Sequence, residues 1–197
     1  SQWQGSFRQK LVTKFRFVFV KPFFDFAFVP GSPQEIFMLK LGFSRDKIFK
    51  GLYAVDTPRV EFVPISHSEN AFLYIGRLSP EKGVEKMLEG FKLYRTMSDS
   101  PFNLWVAGIS NLDSQLPLIF GVNFLGYIPN LELPNLIQKC KALVLFSERE
   151  HWGVVIAETI ANRRPVICSN ACGAAADLVK DGLNGFLLPN PNPQDIA

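Results

Sequence analysis

Six short apolar runs recur after residue 70, at 72–75, 104–107, 122–125, 142–146, 165–168 and 186–188, and none alternates with polar residues. A strand that is hydrophobic throughout has to be covered on both faces. Between these runs lie stretches of helical period. Val84, Met87, Leu88, Phe91 and Tyr94 share one face at the i, i+3, i+4, i+7 spacing, and Leu133, Leu136, Ile137 and Cys140 form a second stripe. Buried strands that alternate with amphipathic helices predict an α/β fold, a doubly wound Rossmann-like parallel sheet with helices on both faces.

Such a sheet receives ligands outside the carboxyl ends of its strands. That rule selects the loops 76–83, 108–112, 126–130, 147–153 and 169–176, which hold the unusual polar residues of the domain. In GRLSPEKG, Arg77 and Lys82 stand beside a helix N-terminus, where backbone N–H groups and the helix dipole favour an anion. Two cations there suit a diphosphate, and the plainer alternative is a pair of solvated surface charges.

In SEREHWGVVIAE, Glu150 falls in a loop and Glu158 on the first turns of the following helix, eight positions apart. Both carboxylates can face one cleft and accept hydrogen bonds from the paired hydroxyls of a ribose or a hexose. Val154, Val155, Ile156, Ala157 and Ile160 make this helix largely buried, and a buried carboxylate needs a partner. The amides of Gly153, Val154 and Val155 point out of the helix start, and Gly153 lets a ligand approach the backbone. Gly76, Tyr127 and Ile128 lie in the strand-end loops and join the nucleotide-binding set. His151 adjoins the site in a passive role, and His67 reads as a loop residue. Asn184 and Gly185 read as a turn before a strand, where both accept positive φ.

The N-terminal part is less regular. Residues 15–28 are rich in Phe but interrupted by Lys21, Pro22 and Asp25, short of the roughly 20 apolar residues a membrane span needs. A helix from about Arg8, broken near Pro22, and a short strand at 26–29 are expected. Then comes a helix capped by Ser32, with Pro33 first, ending at Gly42. Residues 51–60, GLYAVDTPRV, read as a crossing between domains, and a new helix should begin at Pro193. The start, SQWQGSFRQK, has neither Met nor the features of a signal peptide and reads as a chain met in mid-protein.

Composition narrows the partners. With 21 Lys and Arg against 18 Asp and Glu, there is no footprint for nucleic acid. The three cysteines, Cys140, Cys168 and Cys172, lack zinc spacing and fit small buried thiols in a reducing, cytoplasmic compartment. No Asp-any-Asp carboxylate cluster offers a divalent ion a seat, so no metal and no cofactor are expected.

GRLSPEKG, then SEREHWGVVIAETIANRRPVICSN, then GAAADLVKDGLNGFLLP, in this order and spacing over about 70–197, resemble family four of the retaining glycosyltransferases, two-domain enzymes of the GT-B type. The resemblance implies that 1–55 are the end of an acceptor-binding domain with its hinge. It makes 56–197 a donor-binding domain without its last helices, so the fold is incomplete at both ends. It gives Arg77 and Lys82 to the donor diphosphate, Glu150 to the donor sugar hydroxyls and Glu158 to the nucleotide ribose. The implied reaction moves a hexose-type sugar from a UDP-, GDP- or ADP-sugar to a sugar or lipid-linked acceptor, with retention and without metal. The Phe-rich segment permits a peripheral membrane contact, and this chain alone is expected to bind a donor without transferring it.

Three departures stand out. GLYAVD takes the place of the usual NGVD, ANRRPVI that of ACGRPVI, and ACGAAADLV that of a two-glycine loop ending in Glu, which puts 172–174 near the donor sugar. A sugar-nucleotide epimerase with a similar diphosphate pocket, or an interaction module that keeps only the fold, are the alternatives.

Overall fold

In the computed structural model of the chain, the described residues are 23–51, 53–55, 61–109 and 118–197, with 5, 7, 10, 11 and 13–15. They form two compact units, Ser1–Ala54 and Val55–Ala197.

In the first unit β1 (Ala27–Val29) pairs in parallel with β2 (Ile48–Lys50), Ala27 opposite Ile48, and the crossover carries α1 (Ser32–Lys40). The helix begins one residue earlier than the sequence suggested. Gly31 is its N-cap, and Ser32 instead accepts a hydrogen bond from Lys50 Nζ at 3.4 Å. Glu35 in the first turn pairs with the same lysine at 3.1 Å, so a side chain from β2 supplies positive charge beside α1. β2 itself was not foreseen, because IFK is too short for a period to show. Of the helix expected over 8–22, only Lys10, Leu11, Thr13, Lys14 and Phe15 are described, and these are helical. The rest of it, and 52 and 56–60 of the expected crossing, lie outside the described residues.

The second unit holds one parallel six-stranded sheet. Its strands are β3 (Ala71–Ile75), β4 (Asn103–Ala107), β5 (Val122–Gly126), β6 (Ala142–Leu145), β7 (Val166–Ser169) and β8 (Gly185–Leu188). Each expected run forms one of them, with ends shifted by no more than one residue. The helices are α2 (Val84–Met97), α3 (Leu133–Lys139), α4 (Val154–Ala161), α5 (Ala175–Leu178) and α6 (Pro193–Ile196).

The spatial order is β5-β4-β3-β6-β7-β8. The chain starts in the middle at β3, moves outward to β5, and returns to β6 on the other side of β3. The winding therefore reverses between β3 and β6, and sheets of this kind take ligands beyond the carboxyl ends of their strands at such a switch point. Two-sided burial follows the sequence pattern in the central strands, while β5 and β8 at the edges of the sheet are partly exposed. Leu73, Val106, Leu143 and Ile156 are fully buried, and α2 turns Val84, Met87, Leu88 and Phe91 onto the sheet. Each such side chain contributes about 1.5–3 kcal/mol by leaving water.

Two local readings change. Gly185 does not adopt positive φ. A Cβ there would collide with the carbonyl oxygen of Val166, so close approach of β7 requires the glycine. Positive φ belongs to Gly182, at 72°, while Asn184 holds the turn by accepting from Lys180 N at 2.7 Å and donating to Leu178 O at 3.0 Å.

At the end of α4, Arg163 has φ 57°, the left-handed region that favours glycine. Its guanidinium sits over the Phe62 ring at 4.9 Å, which offsets part of the strain. Arg163→Gly is therefore expected to be nearly neutral, and Arg163→Val about 1–2 kcal/mol less stable than Arg163→Gly, measured by urea unfolding.

Candidate functional site

The sheet's hydrogen bonding runs on past its strands and aligns the loops at their carboxyl ends. Gly76 N donates to Ala107 O at 3.0 Å, Leu78 N to Ile109 O at 3.1 Å and Gly108 N to Gly126 O at 2.8 Å. The backbones touch here, since a Cβ on Gly108 would collide with Gly76 O.

Across the switch point a second set of contacts joins the loop after β3 to the loop after β6. Pro80–Lys82 forms a 3-10 turn, and Gly83, at φ 67°, starts α2 with its backbone against Phe146 O. Glu81 O accepts from Glu148 N at 3.0 Å and Arg149 N at 3.2 Å. The loop after β7 is fastened in turn, by Gly173 N to Glu150 O at 3.2 Å, Ala174 N to Trp152 O at 2.8 Å and Ser169 Oγ to Ser147 O at 2.6 Å.

Lys82 and Glu150 meet within this frame. Lys82 Nζ donates directly to Glu150 Oε2, and both side chains are only 15% exposed. Gly153, the N-cap of α4 at φ 85°, makes room for that carboxylate, because a Cβ there would stand 3.2 Å from Glu150 Cγ. Arg77 does not join the pair. Its side chain is 75% exposed and faces Glu81 at 3.5 Å. A hydrogen bond from its own backbone N–H holds the Glu81 carboxyl below the ordinary carboxylate range.

The remaining predicted residues lie on α4 and beyond β5. Glu158 is the fifth residue of α4 and half-buried, and its carboxylate has no ion pair or hydrogen bond among the described residues. Burial pushes its pKa up. Val154 is exposed and Val155 half-buried at the helix start, while Tyr127 is exposed and Ile128 packs against the core beyond β5. Cys172 and Ala174 run beside Glu150 with their side chains fully buried. His151 is exposed, and His67 closes a 3-10 turn. Residues 110–112 of the loop after β4 lie outside the described residues.

A raised carboxyl pKa fixes the sign of a stability effect. Glu158 binds its proton more tightly folded than unfolded, so its contribution is full below the unfolded pKa and is lost as pH rises through the folded one. Glu158→Gln removes that loss. Its Tm is expected to exceed the parent's by about 1–2 °C at pH 7.5 and to equal it near pH 4.

Sequence reasoning missed Tyr74. Its ring is fully buried in β3, and its hydroxyl donates to Arg77 O at 2.7 Å, just below Gly76. Burial first, then the Glu150 and Glu81 carboxylates, push its pKa well above the ordinary phenol value, so it stays a neutral donor under the loop. The only available signal was a hydroxyl in the otherwise apolar run AFLYI. Among the described residues no group of three or more His, Cys, Asp or Glu could hold a metal ion. Nor is any helix there long and apolar enough to cross a membrane.

Residues 59–197 match the family described as glycosyl transferases group 1. The chain belongs to this family. It is 31% identical over 133 residues to an uncharacterized glycosyltransferase of Methanocaldococcus jannaschii, an alignment covering 64% of this chain and 36% of that protein. It is also 31% identical over 133 residues to the alpha-D-kanosaminyltransferase of Streptomyces kanamyceticus, covering 64% and 34%. Anabaena HepE, solved with UDP and glucose, superposes with a TM-score of 0.71 at 18% identity, covering 95% of this chain and 55% of that one. This glycosyltransferase chain thus matches about a third of the length of those curated relatives. The parallel sheet and its switch point are those of GT-B folds.

Proposed function

We propose that this chain is the donor-binding part of a retaining family-four glycosyltransferase that moves a hexose-type sugar from a nucleoside diphosphate sugar to an acceptor. The observation that carries the reading is the meeting of Lys82 and Glu150 at the switch point of the sheet. A cation and a carboxylate, offered together at a strand-end crevice, match a diphosphate joined to a hydroxylated ring.

In this reading Lys82 holds the diphosphate and stabilises the charge that develops as it leaves, with Arg77 at the rim and the amides of Gly153, Val154 and Val155 assisting. Glu150 accepts from the sugar hydroxyls. Glu158, a half-buried carboxylate, accepts from the ribose, and Gly76, Tyr127 and Ile128 border the nucleotide. No cofactor is called on, since these groups carry the leaving-group charge themselves. The acceptor is a sugar or lipid-linked molecule bound outside 56–197, with 1–55 belonging to the acceptor side. HepE holds UDP and glucose in its own structure, so UDP is the first nucleotide to try.

Calorimetric titration of the chain with UDP, GDP and ADP tests the reading. One of them should bind, and Lys82→Gln should weaken it about tenfold. Indifference to all three would overturn the proposal. Transfer calls for a second wall that excludes water and orients the acceptor, so the chain alone should bind donor without turnover. In the full-length enzyme, NMR of the product linkage checks retention.

A further inference from the structure

In the loop that leaves β3, one peptide plane is held from both sides. The plane that joins Arg77 to Leu78 has its carbonyl oxygen taken by the Tyr74 hydroxyl at 2.7 Å and its N–H given to Ile109 O at 3.1 Å. We propose that Tyr74 is a positioning residue for the nucleoside diphosphate, which turns the Arg77 carbonyl down into the fold and keeps its negative end away from the phosphates. The inference rests on the donor reading and goes beyond it, since it gives a part in binding to a residue buried beneath the loop.

The argument starts from direction. The C=O and N–H of a trans peptide point opposite ways, so a bond on each side fixes the rotation of the plane. Tyr74 is fully buried in β3, and a carbonyl that reaches its hydroxyl therefore points inward. Gly76 leaves the hydroxyl its place, because a Cβ there would stand 3.0 Å from it. Turned the other way, the oxygen would stand on the outer side of the loop at the carboxyl end of β3, where the donor reading puts the diphosphate. A carbonyl oxygen is the negative end of the peptide dipole, and it repels a phosphate as surely as N–H groups attract one.

The hydroxyl is the part that acts. A ring of the same shape without it would leave a carbonyl oxygen short of its donor inside the fold, and such a group seeks water. Burial first, then the Glu150 and Glu81 carboxylates, keep the phenol protonated, so the donor is always present. The same two carboxylates act on the oxygen bonded to it. Once the phenol O–H is gone, their field pushes that oxygen outward, toward the ligand side.

The test is calorimetry on the full 197-residue chain with UDP, GDP and ADP. Tyr74→Phe should bind the nucleoside diphosphate that the parent chain binds about five- to tenfold more weakly. The uncharged nucleoside of the same base, titrated by ligand-observed NMR, should bind both proteins alike, because the carbonyl dipole acts on charge. Leu104→Ala supplies the control for stability. That side chain is 1% exposed near the amino end of β4, so its truncation destabilises the sheet while diphosphate affinity stays within about twofold of the parent. Hydrogen exchange reads the plane itself. The Leu78 amide should exchange at least about tenfold more slowly than an unprotected amide in the parent, and about tenfold faster in Tyr74→Phe than in the parent. The parent measurement stands even where Tyr74→Phe does not fold.

Unchanged diphosphate affinity in a folded Tyr74→Phe, an equal loss with the nucleoside, an equal loss in Leu104→Ala, or an unprotected Leu78 amide in the parent overturns the inference and leaves the donor reading standing. A parent chain that binds none of the three nucleoside diphosphates overturns the donor reading and the inference with it.

Discussion

Arg164→Ala is expected to lower the unfolding free energy by about 3 kcal/mol and Tm by roughly 6–12 °C. Arg164 is 2% exposed, and its donors serve three backbone carbonyls. Nε donates to Cys140 O at 2.9 Å, and Nη2 donates to Val63 O at 2.7 Å and to Gln138 O. Gln138 and Cys140 lie at the C-terminus of α3, where carbonyls lack helical partners and the dipole favours a cation. One guanidinium thus caps α3 and clamps it to residue 63 and to the entry of β7. Truncation strands these carbonyls and opens a cavity. Arg164→Lys keeps the charge but not the fork, and should recover less than half of the loss. These contacts sit at the amino ends of β6 and β7, opposite the loops that hold Lys82 and Glu150. Nucleotide affinity should therefore be unchanged while urea unfolding shifts, and an Arg164→Ala protein within 1 kcal/mol of the parent would contradict the capping account.

That separation between the two ends of the sheet was half legible in the sequence. Burial on both faces writes itself into a strand as an unbroken apolar run, which is why β3, β4, β6 and β7 could be placed within a residue, while β5, with Asn123 inside it and no buried residue, was legible only through its place in the alternation with helices. Helical period did the same for α2. The loops followed from topology, because a doubly wound sheet puts its ligands beyond the carboxyl ends.

What sequence could not give was pairing between distant positions. Lys82 and Glu150 are 68 residues apart and looked like contacts to separate parts of a ligand, whereas the fold also sets them against each other. Arg77, five residues from Lys82, shared its motif but lies on the exposed rim beside Glu81. Arg164 was hidden for the same reason, since its partners are carbonyls 24 to 101 residues away, whereas Tyr74 bonds Arg77 O only three residues on and was hidden because a lone hydroxyl in an apolar run carries no period. Gly153 was legible as a helix start. Gly83, Gly108 and Gly185 were not legible in this way, because each is demanded by a backbone oxygen from another segment of the chain.

Gly83→Ala is expected to damage both stability and binding, and a comparison with Gly182→Ala separates the causes. Both glycines have left-handed backbone, φ 67° and 72°, so each substitution carries a conformational cost of about 1 kcal/mol. At Gly182 the added methyl meets nothing within 4 Å, and the cost should end there. At Gly83 it runs into Phe146 O, a main-chain atom that cannot rotate aside. Either the 80–83 turn lifts or the chain leaving β6 shifts, and both movements pull Glu81 O from Glu148 and Arg149 and part Lys82 from Glu150. The total should reach about 2–4 kcal/mol. Because Lys82 directly precedes Gly83, the affinity for the nucleoside diphosphate should fall about tenfold in the same variant. Gly182→Ala should leave that affinity untouched, as judged by calorimetry beside urea unfolding. Equal losses of stability in the two variants would mean that the contact with Phe146 does not hold the turn, and the frame around Lys82 and Glu150 would need another support.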